Sequence, residues 1–268
     1  MKEFFGFGGY ERPAEGFLSW QHILFVSCFI VAMIALAIYF GLKFRNRSEA
    51  DKNKVLLWTA IILDSCEVFR VIMACIVCED PLRWLYELPL FLCGIPLILV
   101  PMAALTKGRV REASLDFVLI FGILGAILGT YCAGQNYSCY PVLSFNNLIS
   151  ALTHTISGFA SLYIAISGMV SMKKKNIWIT YCILSGFAVM AFIANSLLDY
   201  NYMFLVRGDG TPYDIVYNLV GGNPVLYPMM VIALFLVYIA AFYGVYHLIK
   251  TKCKKAAVLD GCADDTAE

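Results

Sequence analysis

The sequence has few charged residues and almost no histidine. Asp, Glu, Lys and Arg make up 15% of its 268 residues, and there are three histidines. Because soluble domains usually have about 25% charged residues, a chain that is 60% hydrophobic has apolar surface that must face something other than water. A net charge of +1 gives no overall positive field, so the composition does not predict a nucleic-acid partner.

Several motifs of well-known enzymes are also missing. The chain has no G-x-S-x-G, no H-E-x-x-H and no Walker A sequence. Three scattered histidines do not make a metal site, so neither a metal nor another cofactor is expected. Residues 1–20 lack a basic stretch followed by an apolar core, so we expect the first spanning helix to direct insertion without a cleavable signal peptide.

What the sequence does have is a series of apolar stretches, each close to the roughly 20 residues that cross a bilayer core. The seven stretches lie near 21–42, 55–77, 88–106, 114–134, 147–171, 177–198 and 224–249. Each is expected to be helical, because lipid offers no partner for unpaired backbone groups. The sequence therefore predicts an all-α, polytopic bundle of seven transmembrane helices in one domain, 1–250, with a disordered tail, 251–268.

Lysine and arginine are distributed unevenly between the two sides of this predicted bundle. Fifteen of them lie in the connections after the first, third and fifth stretches and in the tail, at 43–54, 107–111, 173–175 and 250–255. The opposite side has four, Lys2, Arg12, Arg83 and Arg207. Because basic residues stay on the cytoplasmic side, we expect the amino terminus outside, the carboxyl terminus in the cytoplasm, and the protein in the cell membrane.

The second apolar stretch contains three ionisable residues, Asp64, Glu67 and Arg70. Their spacing of three places them on one helix face, and such residues normally face the interior of a bundle. One interpretation is a neutralised structural network. The other is a site for a substrate headgroup or a proton, because two acids and one base exceed what neutralisation needs.

His154 and Cys93 are the candidate reactive side chains. His154 lies on a stripe of small residues in the fifth stretch, which is typical of a helix face that packs closely against a neighbour. Pro96 is expected to kink the third helix around Cys93. Under the predicted topology both residues lie roughly 8–10 Å below the outer boundary.

Other polar residues share this outer half, and they predict a cavity that opens outward at the level of the outer leaflet. They are Glu67, Arg70, Asn195, Asp199 and His22. Three glycines in the fourth stretch have the spacing that is typical of a close contact between helices: Gly122, Gly125 and Gly129. Four cysteines lie near the outer face, and a disulfide among them is one alternative: Cys75, Cys78, Cys132 and Cys139.

Two segments resemble the YwaF-like family of bacterial integral membrane proteins. Leu88–Cys93 (LPLFLC) is similar to that family's LPLHLC segment, and Asn201–Leu205 with G-N-P-V-L-Y at 222–227 is similar to its NYMFL…G-x-P-x-x-Y stretch. His22 and His154 also match positions of the family, and the similarity extends from about 20 to 250. One departure is Phe91, which stands where the family usually has histidine.

The resemblance implies a function, because the family is similar to an animal transmembrane acyltransferase that moves a fatty acyl chain onto an ether lysophospholipid. It implies Cys93 as nucleophile and His154 as general base and acid. A thiolate formed in this way attacks a lipid ester and carries the acyl group to a lyso-lipid or to water. Asn195 or Asn201 is expected to support the oxyanion.

Three functions therefore remain open from the sequence. The first is a lipid acyltransferase or esterase, with membrane lipids as its partners and the Phe91 position bearing on its activity. The second is a small-molecule transporter or binding module that uses Asp64, Glu67 and Arg70, with His22 and Asp199 in the same polar network. The third is a structural or sensory membrane protein without chemistry.

Overall fold

The computed structural model describes residues 2–264, and the side chains of residues 2–252. Its helices are α1 (Lys2–Phe5), α2 (Trp20–Phe44), α3 (Glu49–Val77), α4 (Pro96–Leu105), α5 (Gly108–Tyr131), α6 (Gly134–Cys139), α7 (Phe145–Ile166), α8 (Ile177–Leu198), α9 (Tyr213–Leu219) and α10 (Leu226–Asp264). Helix makes up 74% of the chain and no strand occurs among the described residues, which confirms the all-α class.

Five of these helices are long and apolar enough to cross a membrane: α2, α5, α7, α8 and the first 27 residues of α10. Two of the seven predicted stretches fall outside this set. Helix α3 has the length, but its central part contains Asp64, Glu67 and Arg70. Helix α4 has only ten residues.

Helix α3 begins at Glu49, six residues before the predicted start at 55, because Ser48 caps it. The Ser48 Oγ accepts the backbone N–H of Asp51 at 3.2 Å, which satisfies one of the unpaired donors of the first turn. Glu49 and Asp51 add negative charge where the helix dipole favours it. Capping thus extends the helix into a charged segment that hydropathy alone excludes.

The third predicted helix, 88–106, differs most from the structure. Residues 88–95 form irregular turns, and the helix begins with Pro96 at its first position. Proline is favoured there because its missing N–H has no partner in the first turn of a helix. The predicted kink at Cys93 is therefore a non-helical segment that leads into a short helix.

Helices α5 and α7 form the closest pair in the bundle. A Cβ added at Gly122 would lie 2.7 Å from the carbonyl oxygen of Ser157, and one added at Gly158 would lie 2.6 Å from the Cβ of Ala126. Ser161 also donates a hydrogen bond of 2.8 Å to the carbonyl of Leu119. Small residues on both helices therefore let the two backbones come together.

At the carboxyl end, α10 continues to Asp264. The sequence predicted a disordered tail at 251–268. Residues 265–268 and the side chains after Lys252 lie outside the described part of the chain. The disorder of the tail stays a prediction.

Candidate functional site

The structure brings Cys93 and His154 together. The Cys93 thiol lies within interaction range of the His154 imidazole. The other side of the imidazole is fixed by its own helix, since Nδ1 lies 2.7 Å from the backbone carbonyl of Ser150. A carbonyl can only accept, so Nδ1 carries the proton and Nε2 is left as the acceptor for the thiol.

Helix α5 forms the surface on which this pair rests. A Cβ at Gly129 would lie 1.9 Å from Cδ2 and 2.2 Å from Nε2 of His154, so the ring occupies the space of the missing side chain. One turn away, a Cβ at Gly125 would be 3.7 Å from the Cβ of Cys93, an ordinary contact. Gly129 therefore holds His154, whereas the sequence indicated only helix packing.

The Cys93 thiol is accessible although it lies deep in the bundle. Its side chain is exposed, although many protein atoms lie around the residue at longer range. Both facts hold if Cys93 lines an internal opening and not the outer surface. His154 is half-buried, so the opening reaches the pair.

A recess of 330 Å³ lies beside this pair, on the side of α3. Eight residues line it, Asp64, Glu67, Val68, Val71, Ile72, Glu87, Pro89 and Leu97. Pro89 and Leu97 flank the segment that contains Cys93, and Cys93 itself is not in the lining, so the recess adjoins the thiol without enclosing it. Within the described part of the chain, Asp64 Oδ1 is buried and has no hydrogen-bond partner.

Two ionisable residues of α3 form a network with the connection that follows this helix. The sequence did not suggest this network. Arg70 binds Glu67 through two N–H groups, at 3.0 and 2.7 Å. Its third contact is to Glu87, at 2.6 Å. Glu87 in turn accepts from Arg83 at 3.2 Å. These contacts occupy the guanidinium of Arg70 with carboxylates, so a role in holding a substrate headgroup stays a prediction.

Breaking this network is expected to destabilise the protein. We expect Arg70→Met to lower the free energy of unfolding by about 3 kcal/mol, because Glu67 loses its cation in a largely buried place and Glu87 keeps only its contact with Arg83. The matched control is Lys54→Met, which removes the exposed pair with Asp51 and should not change stability measurably. Thermal unfolding of the two variants in detergent tests this, and equal melting temperatures would contradict it.

Asn195 and Asn201 organise the connection between α8 and α9. Asn195 donates to the carbonyl of Tyr202 at 3.1 Å and accepts its N–H at 2.6 Å. Asn201 donates to the carbonyl of Arg207 and to Asp209, each at 2.8 Å. Both donors of Asn201 are thus in use, and support of an oxyanion by either amide stays a prediction.

Among the described residues, His22 and Asp199 form no hydrogen bond with Cys93 or His154. His22 is fully buried, accepts the N–H of Leu18 and contacts the carbonyl of Thr130, each at 3.1 Å. Its ring also stacks on Tyr137 at 3.8 Å. These partners give His22 a place in packing. Asp199 is exposed and ends α8 in the left-handed conformation, with φ of 50°.

Phe91 belongs to an aromatic cluster in place of the histidine of the YwaF-like family. Its ring lies 5.3 Å from that of Tyr202 and 5.7 Å from that of Phe204. The side chain therefore points to the connection after α8, which Asn195 and Asn201 hold in place.

The other cysteines among residues 2–252 are free, and the described residues contain no group that could hold a metal. The four cysteines for which a disulfide was an alternative form none: Cys75, Cys78, Cys132 and Cys139 are free.

The TMEM164 family model matches residues 17–246, which include the whole site. The chain belongs to the TMEM164 family. Family membership and five apolar helices make it a multi-pass membrane protein. No curated protein and no solved structure matches the chain. The TMEM164-family match covers nearly the same residues as the YwaF-like resemblance, whose own assignment stays a prediction.

Proposed function

We propose that this member of the TMEM164 family is a thiol-dependent lipid acyltransferase or esterase. The observation that supports it is the contact between Cys93 and His154, with the imidazole oriented by Ser150. A nucleophile, a base within reach and a third group that orients the base are the parts that activated nucleophiles need.

The reaction proceeds in two balanced steps. In the first, His154 Nε2 takes the proton of the Cys93 thiol, and sulfur attacks the ester carbonyl of a lipid. The ester C–O bond breaks, and the leaving alcohol takes the proton from His154. In the second, a hydroxyl of a lyso-lipid or a water molecule gives its proton to His154 and attacks the thioester carbonyl. The C–S bond breaks, and His154 returns the proton to sulfur, which restores the thiol.

Two recesses that are both lined in part by residues 85–89 support a lipid as the substrate. The recess beside α3 combines the carboxylates of Asp64, Glu67 and Glu87 with apolar side chains. A second recess, of 290 Å³, is lined only by apolar residues of α8 and of the segment before Cys93, among them Leu85, Leu88 and Leu197. A molecule with a polar head and apolar chains fits this pairing of surfaces.

We propose for the same protein seven spanning segments, an amino terminus outside and a carboxyl terminus in the cell cytoplasm. Helix α3, with 29 residues, is about 44 Å long at the usual rise and suffices to cross. Residues 88–95 and α4 together form the other additional segment. Non-helical backbone is tolerated at membrane depth where it lines a cavity, which agrees with the accessible thiol at Cys93.

Capture of the acyl-enzyme tests the proposed function. Purified protein in vesicles of an ester phospholipid with a labelled acyl chain is expected to acquire that chain on Cys93 as a thioester that hydroxylamine removes. Cys93→Ala should abolish the label, and Cys182→Ala, which removes another exposed thiol, should leave it unchanged. A folded sample without acyl group on Cys93 would contradict the proposal, and solute flux that survives Cys93→Ala would favour a transporter.

A further inference from the structure

Asp116 is a buried acid that the proposed reaction does not use. It lies on α5 and is 0% exposed. Gly125, which contacts Cys93, follows nine residues later, about 14 Å along the helix. Asp116 therefore belongs to a separate polar cluster near the opposite end of the bundle.

The partners of Asp116 are neutral. Its Oδ1 accepts the backbone N–H of Met172 at 2.7 Å, and its Oδ2 lies 2.9 Å from the hydroxyl of Tyr243 on α10. Within the described side chains, no lysine, arginine or histidine forms an ion pair with it. The nearest cation of the connection after α7, Lys173, pairs instead with Glu112, one turn before Asp116.

The residues that continue this hydrogen-bond chain on the neighbouring elements are also uncharged. Helix α8 presents Thr180, whose hydroxyl lies 3.3 Å from that of Tyr243 and donates to the carbonyl of Asn176 at 3.2 Å. The side-chain amide of Asn176 donates to Glu112 at 3.1 Å. An ionised Asp116 would thus be an uncompensated charge inside a spanning helix, which costs several kcal/mol.

A neutral Asp116 removes that charge and still satisfies every hydrogen bond. The carboxyl group then donates to the oxygen of Tyr243, Tyr243 donates to Thr180, and Thr180 donates to the carbonyl of Asn176. Each hydroxyl in the chain has one acceptor, and Oδ1 keeps the N–H of Met172. The chain runs from α5 through α10 to α8 and the connection before it.

We propose that Asp116 is a proton-binding site that keeps its proton in the folded protein and ties α5, α8 and α10 together at one end of the bundle. Loss of the proton leaves the charge without a counter-ion and favours separation of α10 from α5, since water can then reach the carboxylate. The site links the packing of this end of the bundle to pH, and it does not depend on the chemistry at Cys93.

The experiment compares Asp116→Asn with Asp116→Leu in the purified full chain. The carboxylic-acid carbonyl band in the infrared spectrum is expected to lose one component in Asp116→Asn and none in the surface control Asp51→Asn. Asparagine can donate to Tyr243 and accept from Met172, so its melting temperature should stay near that of the wild type. Leucine pairs with neither, so its melting temperature should fall.

The pH dependence of unfolding gives the second measurement. Because the folded state holds the proton, the contribution of Asp116 is present at low pH and is lost as pH rises, whereas Asp116→Asn should keep it. An unchanged infrared band would overturn the proposal. So would stabilisation of the wild type, but not of Asp116→Asn, by sodium, since a bound cation would then balance an ionised carboxylate.

Discussion

Replacement of His154 by alanine is expected to slow acylation of Cys93 by about 10²–10⁴-fold, the contribution typical of proton transfer by a positioned side chain. Without the imidazole, nothing in contact with the thiol takes up its proton as sulfur attacks. The rate is measured as the appearance of acyl thioester on Cys93 in lipid vesicles. Ser150 should not compensate, because its carbonyl contacts Nδ1 of the imidazole and not the thiol.

The matched control is His247→Ala, which removes a histidine of α10 far along the chain from the site. It should leave the rate unchanged. His154→Gln fills more of the space of the ring without supplying a base, so it should be as slow as His154→Ala while it preserves packing. If His154→Ala acylates Cys93 as fast as the wild type, the pair has no catalytic role and the contact is structural.

Gly129→Ala is expected to reduce the same rate about 10²-fold or more, although it removes no reactive group. Its new methyl would overlap the imidazole, at 1.9 Å from Cδ2. The ring cannot stay in place, and a displacement of about 1 Å can cost 10²-fold in rate. Overpacking should also lower stability by about 1–3 kcal/mol, partly offset by the better helix propensity of alanine.

Two further glycine variants calibrate this effect. Gly125→Ala brings a methyl to 3.7 Å from the Cβ of Cys93, an ordinary contact, and should change the rate much less. Gly186→Ala on α8 meets nothing within 4 Å and should change nothing. Equal rates for Gly129→Ala and Gly186→Ala would show that α5 does not position His154.

Helix boundaries were predictable where apolar composition sets them and not where capping does. The sixth stretch, 177–198, has the same bounds as α8. Helix α3 starts earlier than its apolar stretch because Ser48 caps it, and α4 starts later because Pro96 takes its first position. Hydropathy does not detect either effect, since each acts through one or two backbone N–H groups.

In the candidate site, too, some residues could be predicted from the sequence and others could not. Cys93 and His154 could be singled out because Pro96 was expected to disturb the helix around Cys93 and because histidine is rare in this chain, and their similar predicted depth indicated that they lie near each other. Glu87 could not be assigned as a partner of Arg70, because the turn at Arg83–Tyr86 brings it there from 17 residues away. Asp116 is a case that the sequence could have indicated, because an acid in an apolar stretch usually faces the interior of a bundle.

The close pairing of α5 and α7 has a consequence for how a bilayer molecule would reach sulfur. Gly122 and Gly158 bring the backbones of α5 and α7 close together. Under the proposed function, we expect a diacyl lipid to reach Cys93 from the other flank, beside α3, where the carboxylate-lined recess opens. The salt bridge from Arg70 to Glu87 joins α3 to the segment before Cys93 on that flank, so we expect a weaker salt bridge to ease the entry of bulky lipids.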